Sequence, residues 1–324
     1  MVVVIHVSSV IKNMDISSNR FMIFSIFNNL SVMSVPLFFM ISGRIVLQKD
    51  YSINDLLLKC LKYFLVFLIF GIIENFNQLI NLIKYFDVEN FKNFIDLILS
   101  NTTYRWFLLA IIGLYLFSPM LKAIVKDKNV LKYFLILQFV ILFLFSDLQN
   151  ISPLGRTIPV SKGITLNSHF FVYSFYFVLG YYLGEKSTFK IKNNILITAF
   201  LLAFSILSIS FILYSRKINS IFLEALNWNT TSTLIMSIST FIIFKNNFNK
   251  PNKITTLISS CTFGIYLVHV PILKHFNIFN VTVNDFLYVP LNSLLLYVVS
   301  FLIVFVFKKL VNKAKYFIYK PKNL

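Results

Sequence analysis

The chain has 324 residues, of which 57% are hydrophobic and only 13% charged, and its mean hydropathy is +0.77. That leaves too little polar surface to solubilise a domain of this length, so a soluble fold is not expected. The formal charge of +18 sits in short loops between apolar runs and forms no stripe or patch, which argues against nucleic acid and for membrane topology with affinity for anionic headgroups or phosphates.

A helix needs about 20 apolar residues to cross the hydrocarbon core. Met1 to Val10 is apolar but reaches only about half that distance at roughly 1.5 Å per residue. It lacks a charged leader and a small-residue cleavage site, so it reads as a first span whose beginning is missing, not as a signal peptide. Nine further segments follow in order: Ile23 to Ile45, Leu56 to Ile73, Trp106 to Ile124, Val130 to Phe145, His169 to Gly184, Ile195 to Tyr214, Asn229 to Phe244, Leu257 to Phe276 and Phe286 to Phe307.

Assigning alternate loops to opposite sides puts 20 of the 30 basic residues on one side. Arg44, Lys49, Lys59 and Lys62 share one loop; Lys122, Lys126, Lys128 and Lys132 the next; then Lys186, Lys190 and Lys192; Lys245, Lys250 and Lys253; and a tail, 308–324, with Lys308, Lys309, Lys313, Lys315, Lys320 and Lys322. Lys and Arg are retained on the cytoplasmic face during insertion, so both termini are expected there. Eight of the twelve acids fall on the opposite side. The longest outer loop, Glu74 to Arg105, has Leu79, Ile80, Ile83 and Phe86, then Phe91, Phe94, Ile95 and Ile98, at helical spacing, which predicts interfacial helices. Cys60 and Cys261 suit neither a disulfide framework nor a metal site. The composition looks like that of an A/T-rich bacterial genome, under which the sequons at Asn101 and Asn229 are chance. The whole chain reads as a single domain, 1–324.

Ionisable residues inside hydrocarbon are functional candidates because burying them is costly. His6 lies in the first apolar stretch, His169 opens the sixth span near the outer surface and His269 is embedded in the ninth. Imidazole exchanges a proton near neutrality, although capping or helix-bridging hydrogen bonds are the simpler account of each ring taken alone, most of all for His169, whose surface position makes it cheap to keep. Pro36 interrupts the second span and Ser42-Gly43-Arg44 ends it. A glycine there lets either another backbone or a ligand come close, and the basic loop that follows suits a polyphosphate or anionic headgroups. Arg105-Trp106 opens the fourth span, where tryptophan is expected from the aromatic belt alone. Glu185 and Lys186 read as an ordinary solvated pair. A Gly-rich nucleotide loop, a His/Glu zinc spacing and a Gly-x-Ser-x-Gly elbow are absent from the sequence, and no metal site is expected.

Five stretches carry a resemblance: His6 in the first span; Val35 to Gly43 in the second; Trp106-Phe107-Leu108 running to Tyr115-Leu116-Phe117-Ser118-Pro119 in the fourth; Phe177 to Tyr182 in the sixth; and Ser260 to Pro271 in the ninth, with Phe263-Gly264-Ile265-Tyr266-Leu267-Val268-His269. In this order the chain resembles the acyltransferase 3 family of integral-membrane enzymes, which includes bacterial surface-polysaccharide O-acetyltransferases. The resemblance implies an all-α integral membrane protein of about ten transmembrane helices, the first truncated, around one catalytic cavity in the bacterial cytoplasmic membrane. It implies acyl-CoA, acetyl-CoA above all, as a donor entering from the cytoplasm, no permanently bound cofactor, and a sugar or glycolipid hydroxyl as acceptor. His6 would be the general base. Ser42, Gly43, Arg44, Lys59 and Lys62 would meet the donor, the lysines suiting CoA phosphates. Arg105, Trp106, Tyr266 and His269 would line the substrate cavity. The family's arginine about ten residues before that histidine would lie in the missing upstream part. The competing readings are a polysaccharide exporter, which would call for inverted repeats that are not visible, and a non-catalytic subunit of a glycan-synthesis complex, which would need no histidine chemistry.

Overall fold

The computed structural model describes residues 1–99, 104–150, 169–187, 191–222, 226–248, 250, 252–275 and 284–319. Asn101, Lys190, Phe276, Lys320 and Lys322, named above, lie outside them. No strand occurs among the described residues. In chain order the helices are α1 (Val2–Ser8), α2 (Asn19–Ser31), α3 (Ser34–Gln48), α4 (Ile53–Glu74), α5 (Phe76–Lys84), α6 (Val88–Leu99), α7 (Trp106–Lys126), α8 (Lys128–Phe139), α9 (Phe145–Asn150), α10 (His169–Tyr181), α11 (Asn193–Ile218), α12 (Thr231–Asn247), α13 (Lys253–His275) and α14 (Asp285–Tyr319).

Among the described residues, seven helices are long and apolar enough to cross a membrane: Asn19–Gln48, Ile53–Glu74, Trp106–Lys126, Lys128–Leu148, Asn193–Ile218, Lys253–Lys274 and Asp285–Ala314. Two of the nine sequence segments fall short of that length, because α10 has 13 residues before a π-helical turn at Tyr182–Lys186 and α12 has 17. The first apolar stretch, Val2–Asn13, is shorter still. Leu202, Ile206, Ile209 and Leu213 of α11 are each more than half exposed, an apolar face suited to lipid.

Local chemistry sets the helix boundaries. The Ser52 hydroxyl accepts the Asp55 N–H and the Asp55 carboxylate accepts the Ser52 N–H, a capping box that starts α4. Asp127 accepts the N–H groups of Asn129 and Val130 at the start of α8. Asn219 ends α11 in the left-handed region at φ 49°, a conformation asparagine tolerates better than most residues. The segment read as a single second span is broken at Val32–Met33 between α2 and α3. Within the Asn19–Gln48 span, Pro36 therefore sits in the first turn of α3, where its missing N–H costs little.

The chain divides into two compact units, Val32–Asn247, and Met1–Ser31 with Phe248–Leu324. In the first, α10 is the core: every residue from Val172 to Gly180 is buried, as expected of a helix apolar all round. Helices α3 and α10 meet backbone to backbone. A Cβ on Gly43 would stand 1.8 Å from the Phe177 carbonyl oxygen, and one on Gly180 would stand 2.0 Å from that of Met40. The two glycines thus permit a contact that any side chain would hold apart. Amphipathic α5 and α6 pack on α4 through Leu82, Phe94, Ile98, Leu68 and Leu79, forming helices where the sequence predicts them.

The second unit gathers α1, α2, α13 and α14. Its interior carries polar links suited to a helix bundle lacking water. Asn28 Nδ2 donates to Ser8 Oγ at 2.9 Å, and Ser8 Oγ donates to the Val4 carbonyl at 2.7 Å. Nearer the surface, half-exposed Arg20 joins Asp285 at 3.1 Å while lying over the rings of Phe24 and Tyr288.

Candidate active site

His6 and His269 lie far apart in the sequence and meet in the unit built from the two chain ends. Their ring centroids are 5.0 Å apart with planes inclined at 57°. Short α1 supplies His6, in a helix that continues as a 3-10 turn through Asn13. His269 comes from α13 and is fully buried. Its Nδ1 lies 2.7 Å from the Tyr266 carbonyl and 3.1 Å from that of Ile265. A carbonyl only accepts, so Nδ1 carries the proton and donates it, and in the neutral ring the lone pair is left on Nε2. The Tyr266 ring stands 6.0 Å from that of His269. Histidine, tyrosine and histidine therefore form one cluster, in which His269 is held in a single tautomer by its own helix.

The other unit contains a cleft of about 210 Å³ at the end of α3, the start of α4 and the end of α7, lined by Lys49, Asp50, Tyr51, Ser118, Lys122 and Lys126 among others. Lys122 Nζ pairs with Asp50 at 2.6 Å and donates to the Lys49 carbonyl. Lys59 Nζ lies 4.3 Å from the centre of the Tyr51 ring. The Lys122 ammonium holds the Asp50 carboxyl below its ordinary value by hydrogen bond and charge. Two basic loops that the charge count assigns to the same side thus lie against each other. From sequence, Lys59 and Lys62 are the lysines expected at the donor, while Lys122 and Lys126 bear on topology alone; their assignment to one side is the signal in the sequence for this meeting.

Gly43 is approached by another backbone, that of Phe177, which resolves the choice between helix packing and ligand approach in favour of packing. Arg44 Nε donates to Glu185 Oε1 at 2.9 Å, so Glu185 pairs across helices with Arg44 and the Glu185–Lys186 solvated pair is corrected. Ser42 is half-buried and Lys62 exposed.

Arg105 is fully buried and bound to Glu74 at 2.7 Å, with side-chain exposures of 0% and 2%. Its guanidinium also donates to the carbonyls of Phe67, Ile98 and Leu97 and lies over the Phe67 ring. A planar five-donor fork suits such a site, where an ammonium would satisfy fewer acceptors. The acid and base at the two ends of the segment that carries α5 and α6 are therefore paired with each other. Trp106 stacks on Trp228 with centroids 4.8 Å apart and on Tyr173 at 5.6 Å, in an aromatic cluster that also holds His169. Trp228 carried no recognisable motif in the sequence.

Among known proteins, a family model described as an acyltransferase domain, that of the acyltransferase 3 family, matches residues 1–309. Neither a curated protein nor a solved structure matches the chain.

Proposed function

That the chain belongs to the acyltransferase 3 family, and is a multi-pass membrane acyltransferase, is the premise from which we propose that it transfers an acyl group, specifically acetyl, from cytoplasmic acyl-CoA to a hydroxyl of a cell-surface polysaccharide or glycolipid. The membrane in this reading is the bacterial cytoplasmic membrane, with about ten helices in place and both termini cytoplasmic. The loop charge asymmetry supports that orientation.

The observation that carries the reading is the His6–His269 pair. In the reaction, the acceptor oxygen attacks the thioester carbonyl while His6 takes the hydroxyl proton. The carbon–sulfur bond then breaks, the ester forms, and the proton passes from His6 to the departing CoA sulfur. His269 is a positioning residue: its fixed Nδ1–H bond to Tyr266 sets the ring that stands beside His6. An imidazole held this way presents a constant partner to the base. Support for a CoA donor comes from Lys49, Lys122 and Lys126 around one cleft with Lys59 beside it, since clustered ammonium groups suit phosphate oxygens.

The test is acetyl transfer from acetyl-CoA by the purified full chain in lipid, assayed with its host cell-surface glycan. Wild-type protein should produce acetyl ester and free CoA. A His6→Ala protein that is correctly inserted yet acylates at the wild-type rate would remove His6 as the base.

A further inference from the structure

Helices α5 and α6 enclose a cleft of about 370 Å³, a volume in the range of small-ligand sites. We propose that this cleft is a binding site for an uncharged sugar chain. The inference rests on the reading above that a glycan is the acceptor, and adds where that glycan is held and which charge class is admitted.

The two helices present faces of the same design. On α5 and its C-terminal cap the residues at helical spacing are Gln78, Asn81, Leu82 and Tyr85, the last being the cap; on α6 they are Asn90, Asn93, Phe94 and Leu97. This i, i+3, i+4, i+7 spacing puts each set on one side of its helix. Leu82 and Phe94 are buried and pack together as a floor. Above it, Gln78, Asn81, Asn90 and Asn93 bring four amides to one concavity, and among the described residues none of those side chains forms a hydrogen bond with another protein group. Each amide offers an acceptor oxygen and two N–H donors, the combination that matches hydroxyl groups acting in both senses. Tyr85 is 73% exposed and supplies an open ring for the C–H face of a sugar, with a hydroxyl at its tip.

Charge separates this ligand class from others. Among the described residues none lining the cleft is charged, although Lys84, Asp87, Glu89, Lys92 and Asp96 occupy the same two helices or their connection. A phosphate or uronate would find no cation there, and a cationic headgroup no carboxylate. Acyl chains would find the amides in their way, while the exposed Ile83, Phe86 and Phe91 lie outside the lining. A neutral polyol uses every group present: amides for its hydroxyls, the tyrosine ring for its apolar face and an apolar floor beneath.

The experiment uses the full chain in lipid nanodiscs and measures binding of maltohexaose, cellohexaose and chitopentaose as neutral probes, with oligogalacturonate as the anionic one. At least one neutral oligomer should bind. Asn81→Ala combined with Asn93→Ala should weaken it tenfold or more, and so should Tyr85→Ala, while acetyl-CoA binding stays unchanged as a check that the protein is folded. Binding of oligogalacturonate alone, of none of the probes, or of a neutral oligomer indifferent to both variants would overturn the proposal. Hydrolysis of acetyl-CoA by the wild type is scored separately. Turnover without neutral-sugar binding defeats this inference alone, whereas sugar binding through Asn81 and Asn93 without turnover defeats the acyl-CoA reading alone.

Discussion

The imidazoles of His6 and His269 stand 5.0 Å apart, and the second is anchored through Nδ1 to the carbonyl of Tyr266 at 2.7 Å. The two rings are thereby unequal: one is fixed by its own helix, and the other sits on a short helix less buried than its partner. Replacing His6 with Ala is expected to lower transfer by about 10² to 10⁴, the usual range for loss of a general base, with little loss of folded protein. Replacing His269 with Ala is expected to lower transfer less and to cost about 1–3 kcal/mol of stability, because it empties a fully buried position. Rates of acetyl ester formation and thermal unfolding of the same preparations separate the two roles. Equal rate losses would make His269 as important to the chemistry as His6.

Breaking the Arg105–Glu74 clasp should be a matter of stability before it is one of chemistry. Both side chains are buried, so removing either leaves the other charged group without its partner, at a cost of about 3–5 kcal/mol. Arg105→Ala and Glu74→Ala are each expected to lower the melting temperature in detergent sharply. The double variant should lose less than the sum of the two, since it removes both charges. Additive losses would mean that the two residues act independently.

Gly43 and Gly180 can be tested by one methyl group each. Ala at either position would place a Cβ about 2 Å from a carbonyl oxygen of the facing helix, a distance that forces the helices apart. Each substitution should reduce the yield of folded, monodisperse protein and destabilise it by about 1–3 kcal/mol or more. Unchanged unfolding temperatures for both would contradict the backbone contact.

The Asp50–Lys122 pair gives a pH expectation whose direction is fixed. Asp50 is held below its ordinary value of 3.8 by Lys122, so its contribution is present above that pH and is lost as pH falls through the lowered value. Between pH 5 and 8 Asp50 stays ionised, and acetyl-CoA affinity should show no step attributable to it. Asp50→Asn should tighten acetyl-CoA binding across that range by freeing Lys122 of its counter-charge, and Lys122→Gln with Lys126→Gln should weaken it. Isothermal titration at several pH values and salt concentrations would show this, and a tighter complex with the double Gln protein would refute it.

Orientation is testable independently of activity. A cysteine introduced at the exposed Asn93 should react with an impermeant thiol reagent in intact cells, because the proposed topology puts α5 and α6 outside. Labelling confined to lysed cells would invert the topology.

Composition was enough to establish a helical, multi-pass membrane protein, and the ordered motifs from His6 to His269 pointed to its family. These are properties of transfer between water and lipid and of local sequence, which each segment expresses without reference to the others. The amphipathic spacing of Leu79 to Ile98 likewise predicted α5 and α6 before their packing was known. Tertiary structure decided the pairings. That His6 meets His269, that Arg105 is locked to Glu74, that Glu185 answers Arg44 and not its neighbour Lys186, and that Gly43 faces the backbone of Phe177 all depend on which helices lie side by side. Helix register and close approach are set by the packing of many side chains at once. A lysine such as Lys122, near the end of α7, therefore reads from sequence as a topology signal, and its fold neighbours Lys49 and Asp50 make it part of a cleft.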